Sequence, residues 1–354
     1  MIQAITLSGG GAYGAFEVGV LKALMGGHSP VTGGEPLDPT IFTGTSAGAF
    51  IASVLLSSKA EDPKGRIEHL ERVWFDEVCD SPKRDGNGVY HIRGDVRRYL
   101  EPAWLARNPA GAFQQAAQDA GFFASDMLRR ATAFATSREP LERRTLELFD
   151  LSALISTDPF DELIQRTVAI DRIRQSDRAI RIAATNWKNG ELVVFGKANI
   201  THKAVLASAA IPGVFPAIDI ENAPHVDGGV LMNTPLKPAI DEGAQVIHVI
   251  ALDPNIANVP PMTLPNTLDT FERLLNVANT SRIEADMRLA DAVNHNLERN
   301  PEHRHIEIHL HRPKADMGGV FGMLNFNLSR MQTLIAQGFQ EAVRHDCKRN
   351  GCVL

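Results

Sequence analysis

Gly44-Thr45-Ser46-Ala47-Gly48 stands between Ile41-Phe42, which reads as the end of a strand, and the apolar run Ala49 to Leu56, which reads as a helix. A Gly-x-Ser-x-Gly placed between a strand and a helix is a nucleophile elbow. The turn is tight, and a Cβ at either flanking glycine, Gly44 or Gly48, would strike the neighbouring strand or helix. The serine hydroxyl is left at a helix N-terminus, where backbone N–H groups and the helix dipole favour developing negative charge. Taken alone, the same five residues also describe a helix capped by a serine. The rest of the chain decides between the two.

Upstream, Ala4-Ile5-Thr6-Leu7 reads as a short buried parallel strand. It runs into Ser8-Gly9-Gly10-Gly11-Ala12-Tyr13-Gly14, and a helix follows with Phe16, Val20, Leu21 and Leu24 on its apolar face. Such glycines let backbone N–H groups turn toward an anion. Gly9, Gly11 and Gly14 also satisfy the G-x-G-x-x-G dinucleotide fingerprint. That fingerprint wants an acidic residue about 20 positions on, at a strand tip. Glu35 and Asp38 instead fall in the Gly- and Pro-rich stretch Gly26 to Pro39. The other reading is an oxyanion loop, whose preorganised donors each stabilise a tetrahedral intermediate by roughly 3 kcal/mol. If the first two strands pair in parallel, that loop lies beside the serine.

Composition narrows the classes. The chain has 354 residues, compatible with one large α/β domain plus an insertion, and at 44% hydrophobic and 22% charged it has the ordinary balance of a soluble globular protein. A net charge of -6 argues against nucleic acid as the main partner. Ile2 to Leu7 already reads as a strand, so no signal peptide is expected, and no run approaches the roughly 18 apolar residues of a membrane span. The expectation is a cytoplasmic or peripheral membrane protein without a transmembrane segment. Cys79, Cys347 and Cys352 show no metal spacing and suggest no disulfide framework.

Farther on, residues 93–145 read as a helical insertion. Arg97-Arg98, Arg129-Arg130 and Arg143-Arg144 lie there beside Phe122-Phe123 and Phe134. These are either a solvated helical face or a lid that meets an anionic membrane. Leu151 to Ile173 reads as helix, Ala179 to Asn186 and Leu192 to Phe195 as a strand pair, and His202 to Ala210 as a helix containing Ser208. A short apolar approach then ends in His225-Val226-Asp227-Gly228-Gly229. Val246 to Ile250 is a buried strand, Leu264 to Glu298 an amphipathic helix, and Leu328 to Arg344 a closing helix. His303, His305, His309 and His311 recur every second or fourth residue around the strand Ile306 to Leu310. With no carboxylate or cysteine partner evident, they read as a solvated strand face rather than a metal site, and no metal or organic cofactor is expected.

A glycine-rich loop, a serine elbow and a distant Asp-Gly-Gly, in that order, resemble the patatin-like phospholipase family. The family's oxyanion motif matches Gly9-Gly10-Gly11-Ala12-Tyr13-Gly14, its nucleophile motif Gly44 to Gly48, and its third motif Asp227-Gly228-Gly229. A further family feature looks like Ser208 through Pro212 to Phe215-Pro216. The resemblance implies a serine hydrolase with a Ser-Asp dyad: Ser46 as nucleophile, Asp227 as general base, and an oxyanion hole from Gly9, Gly10, Gly11 and Gly14. Tyr13 departs from the pattern, because the family often carries Arg or Lys there.

The expected fold is therefore α/β, three layers α/β/α around a mostly parallel sheet with a helical insertion. The expected organisation is a catalytic core over residues 1–250, insertion included, and an extension over 251–354 packed on the same domain. The implied activity is lipid acyl hydrolysis of the phospholipase A or lysophospholipase type, at a membrane surface. Neutral acylglycerol hydrolysis, transacylation and a non-enzymatic nucleotide-binding module remain alternatives. A Ser-His-Asp triad with a histidine from the region His295 to His311 is another, although in the α/β-hydrolase fold several strands precede the elbow.

Overall fold

The computed structural model describes residues 1–81, 86–94, 109–136, 154–255, 267–297 and 304–354. Ten strands and twelve helices named here follow one another along the chain. β1 (Gln3–Leu7), α1 (Gly14–Met25), β2 (Ile41–Thr45), α2 (Ala47–Ser57) and α3 (Pro63–Val73) form the first part. β3 (His91–Ile92), α4 (Pro109–Thr136), β4 (Ile155–Ser156), α5 (Asp158–Thr167) and α6 (Ile170–Gln175) come next. β5 (Ala179–Asn186), β6 (Glu191–Phe195), α7 (His202–Ser208), β7 (Ile218–Ile220), β8 (Ala223–Asp227), α8 (Leu236–Asp241) and β9 (Val246–Ile250) follow. α9 (Thr267–Asn294), β10 (Glu307–His311), α10 (Gly319–Met323), α11 (Leu328–Val343) and α12 (Cys347–Asn350) close the chain.

The main sheet runs β10-β9-β1-β2-β5-β8-β7, with β6 also on β5. The pairs β10–β9, β9–β1, β1–β2 and β2–β5 are parallel, and those involving β6, β7 and β8 are antiparallel. Alternate strand residues face opposite sides of a sheet, and the two sides bury different cores. Ile5, Leu7 and Phe42 pack in one cluster with α1, α2 and α11. Ala4, Ile41, Ile247 and Val249 pack in the other with α8 and α9. A sheet covered on both faces is the three-layer arrangement that a parallel sheet demands.

Several expectations change in detail. The stretch Leu151 to Ile173, read as helix, carries the short strand β4 and two separate helices among its described residues. β7 and β8 form an unforeseen hairpin whose two turn residues, Glu221 and Asn222, have φ of 54° and 61°. Of the histidine run, His303 lies outside the described residues and His305 is exposed. His309 and His311, expected on a solvated face, are buried because β10 is covered by the C-terminal residues, with Val353 bridging Ile308. Within the 93–145 stretch, α4 is a single 28-residue helix. Arg97, Arg98, Arg143 and Arg144 lie outside the described residues.

Candidate active site

β2 delivers Ser46 at its C-terminal end. Ser46 takes φ 55°, ψ −120°, a conformation that costs a non-glycine residue on the order of 1–3 kcal/mol and persists only when its surroundings fix it. Three bonds do so. Ser46 N–H donates to Ser208 Oγ (2.9 Å), whose own hydroxyl donates to Ala183 O (2.6 Å). Thr45 Oγ1 donates to Met232 O (2.8 Å) and Gly48 N–H to Ser8 O (3.2 Å). The flanking glycines are there for space: a Cβ on Gly48 would lie 2.6 Å from Leu7 Cβ, and one on Gly44 would meet the Gly48 carbonyl. Ser46 as a whole is 3% exposed.

The register of β5 explains how Asp227, far away in sequence, reaches this point. β2 pairs along β5 from Ala179 to Ala183 and ends there at Thr45. β6 occupies the opposite edge of β5 from Ile182 to Asn186. β8 pairs with Ala184 to Asn186, so it must lie on the edge that β2 has just vacated, with Asp227 opposite Ala184. Ser46 and Asp227 thus meet where one strand stops and the other begins. Asp227 Oδ1 accepts from Gly229 N–H at 2.7 Å, and Asp227 lines the same cleft as Ser46. Burial pushes the Asp227 carboxyl up to about 6, against the opposing pull of Gly229 N–H and of the nearby Ser46 hydroxyl. A side chain at Gly228 would strike the Ala183 carbonyl, so the corner closes only around a glycine.

The glycine loop lies alongside, since a Cβ on Gly9 would stand 3.0 Å from Ser46 Cβ. Its four glycines differ in what their N–H groups do. Gly9 N–H donates to Asn233 O (3.1 Å), and Gly14 N–H turns back onto the carbonyls of Gly11 and Ala12. Gly10 and Gly11 have no N–H acceptor among the described residues. Gly11 has φ 56°, and a side chain there would strike the Met323 carbonyl. Tyr13 turns away from the loop: its hydroxyl donates to Gly319 O (2.6 Å), and the Arg330 guanidinium lies 5.9 Å from its ring centroid.

Sequence reading missed three supporting groups. Asn233 Nδ2 donates to Gly9 O (3.2 Å) and to Asp253 Oδ2 (3.3 Å), tying the loop to the end of β9. Burial pushes Asp253 up to about 7. Beneath the loop, Glu17 is fully buried and accepts from Ser8 N–H at 2.8 Å. Burial holds its carboxyl well above the usual carboxylate range. A signal for Glu17 existed: among its neighbours in α1 only Lys22 is exposed, and a helix apolar all round buries every face.

Two cavities meet at Ser46. The first, about 320 Å³, is lined by Gly9, Gly10, Ser46, Asp227 and Asn233 and carries Arg282 and Trp187 farther out. The second is a narrow slot lined by Ser46, Phe50, Trp74, Val89, Phe160, Phe215 and Phe326, with no charged side chain. Ser46 therefore stands where a wider, mostly apolar cleft that carries Arg282 meets a narrow aromatic slot, an arrangement suited to a largely apolar molecule.

The family model described as "Patatin-like phospholipase" matches residues 5–240. The chain belongs to this family. Its motifs at Gly9–Gly14, Gly44–Gly48 and Asp227–Gly229 all fall inside the matched stretch. The chain is similar to uncharacterized NTE family proteins of Mycobacterium tuberculosis and Mycobacterium bovis, 29% identical over 141 residues. That stretch is 40% of this chain and spans 24% of the length of those relatives. Among solved structures, VipD from Legionella pneumophila has a TM-score of 0.33 at 15% identity, over 97% of this chain and 67% of that one. The type III effector protein ExoU has a TM-score of 0.33 at 16% identity, over 98% of this chain and 53% of that one.

Proposed function

We propose that the protein hydrolyses carboxylic esters of lipids through a Ser46–Asp227 dyad, in the manner of a phospholipase A or lysophospholipase. The observation that carries this reading is that Ser46 and the buried Asp227 carboxyl line one cleft, with Ser46 also opening onto the aromatic slot. Above pH 6 the carboxylate is ionised and accepts the hydroxyl proton as Ser46 Oγ attacks the ester carbonyl. The carbonyl oxygen becomes an oxyanion, received by the Gly10 and Gly11 N–H groups, which have no competing acceptor among the described residues. Gly9 and Gly14 serve by shape, Gly9 letting the loop pass close to Ser46. Asp227 then returns its proton to the leaving alcohol. A water, deprotonated in turn by Asp227, releases the acid from Ser46.

The acyl chain occupies the aromatic slot, and the alcohol half of the ester leaves through the wider cleft, where Arg282 can meet an anionic headgroup. Among the described residues no helix is long and apolar enough to cross a membrane. Trp187 at the cleft rim is 54% exposed, and Phe113, Met127 and Leu128 on α4 are 70% exposed or more. These support approach to a lipid surface. In α4, Arg129 and Arg130 both pair with Asp126, at 2.5 and 2.6 Å, so the contact is apolar in character more than cationic.

Product analysis tests the reading. Purified protein is incubated with mixed vesicles of phospholipid and triacylglycerol, beside Ser46→Ala. Fatty acid and lysophospholipid released only by the wild type are expected. Release of diacylglycerol in place of lysophospholipid assigns the neutral-lipid alternative. Equal release by Ser46→Ala overturns the nucleophile.

A further inference from the structure

Far from the dyad, four side chains that bind soft metals converge. His309 comes from β10, His345 from the residues just after α11, Cys347 from the start of α12 and Cys352 from beyond its end. One ligand atom from each lies within 4.8 Å of all the others. His345 Nε2 is 3.2 Å from Cys352 Sγ, and His309 Nδ1 is 3.5 Å from Cys347 Sγ. A tetrahedral zinc with Zn–S near 2.3 Å and Zn–N near 2.0–2.1 Å sets its ligand atoms about 3.3–3.8 Å apart. The two nitrogen–sulfur contacts, at 3.2 and 3.5 Å, stand close to that range, and the cluster's full spread of 4.8 Å needs a contraction of about 1 Å.

The surroundings fit the same ion. Leu310 N–H donates to Cys352 Sγ at 3.4 Å, the kind of backbone donor that supports a bound thiolate. His309 and His345 are buried, packed edge-on against each other among further histidine rings. His311 packs against His345 with ring centroids 4.3 Å apart. It is fully buried, and both its ring nitrogens lack a partner.

We propose that His309, His345, Cys347 and Cys352 form a structural zinc site. Two nitrogens and two sulfurs complete a tetrahedron without leaving an open position, which marks a structural rather than a catalytic ion. On binding, Zn²⁺ forms two Zn–N bonds to neutral imidazoles and two Zn–S bonds. The two thiol protons pass to solvent, so the bound group carries no net charge. His345 must present Nε2 as an acceptor, which requires Nδ1–H to donate to the Asn350 side chain 3.0 Å away, with the amide turned to offer its oxygen.

The ion would staple the C-terminal residues onto β10, the edge strand of the sheet. β10 has only a short bridge between Ile308 and Val353 on its outer side, and an uncovered edge invites pairing with other chains. None of the four ligands lines either cavity at Ser46. Three strand spacings separate β10 from β2, about 14 Å, so the site acts on stability and not on the ester.

The experiment uses the full chain without a histidine tag, purified from zinc-supplemented medium under reducing conditions. Mass spectrometry of the metal is expected to give one zinc per chain. Replacement by Co²⁺ is expected to give the visible absorption of a tetrahedral cobalt–thiolate centre. Cys347→Ser and Cys352→Ser are each expected to weaken zinc binding by more than about 100-fold in chelator competition. His305→Ala, in the same histidine run but exposed, is expected to bind as wild type. Stripping zinc from the wild type is expected to lower Tm, and adding it back to restore Tm, a reading that needs no variant to fold. A reduced wild-type chain that takes up no zinc from one added equivalent overturns the proposal. So does zinc that stays bound in the double variant Cys347→Ser/Cys352→Ser.

Discussion

Replacing Asp227 with asparagine changes the charge of one buried group and little else. The amide keeps an oxygen for Gly229 N–H, now at 2.7 Å from Oδ1, and its volume is nearly that of the acid. What disappears is the proton-accepting carboxylate and the cost of keeping it ionised where it is 6% exposed. Raising its pKa from 3.8 to about 6 corresponds to about 3 kcal/mol against the charged folded state at 25 °C. The sign follows from proton binding. Between pH 4 and 6 the folded chain holds this proton and the unfolded chain has released it. The wild type therefore loses stability as pH rises through that window, and above pH 6 the whole loss is in place. Asp227→Asn escapes it, so urea unfolding should show the variant matching wild type at pH 4 and exceeding it by up to about 3 kcal/mol at pH 8. Loss of a general base removes 10²–10⁴-fold in rate, and hydrolysis of a fluorogenic ester should fall by at least about 10³-fold in the same preparation. Opposite movements of stability and activity are the mark of a residue held for function at the expense of the fold. A variant less stable than wild type at pH 8, or a difference that does not change with pH, would refute the buried-carboxylate reasoning. Turnover near the wild-type rate would refute the base.

Three further outcomes follow from neighbouring groups. Glu17→Gln keeps an acceptor for Ser8 N–H and removes a fully buried acid whose pKa is raised; its stability gain over wild type should be absent near pH 4 and grow as pH rises, read as ΔG from urea unfolding at several pH values. Ser208→Ala leaves the Ser46 N–H without its acceptor in a buried site, costing about 1–3 kcal/mol and lowering kcat as the elbow loosens, while a Ser208→Thr variant that keeps the hydroxyl recovers most of both. Ala209→Leu narrows the aromatic slot and should raise KM for long-chain esters about 10-fold or more while leaving short-chain esters near wild type, measured across an acyl-length series.

Much of the frame was legible because it is local. β1, β2 and β9 are short stretches rich in apolar residues and buried along almost their whole length, the pattern of strands covered on both faces, and the two glycine-bearing turns directly follow β1 and β2. The meeting of Ser46 with Asp227 is not local. It depends on β8 taking over the edge of β5 that β2 leaves at Thr45, and hydrophobic periodicity carries no record of which strand occupies which edge. The hairpin of β7 and β8 escaped notice because Glu221-Asn222 fills its turn, without the glycine that usually announces one. The histidines of β10 looked solvated because alternation in a strand is read as one wet and one dry face. The chain's last residues fold back and cover both. The same fold-back brings Cys347 and Cys352 to His309, a partnership that separation in sequence concealed.

The central claim is that Ser46 is a nucleophile served by Asp227, and the most direct test is the rate at which a fluorophosphonate labels the wild-type chain between pH 4.5 and 8. The adduct should map to Ser46 by peptide mass spectrometry, and the rate should climb with pH through a midpoint near 6, where Asp227 ionises. A climb that disappears in Asp227→Asn would tie it to that carboxylate. Labelling at another residue, or labelling of Ser46 at a rate indifferent to pH and to Asp227→Asn, would contradict the dyad.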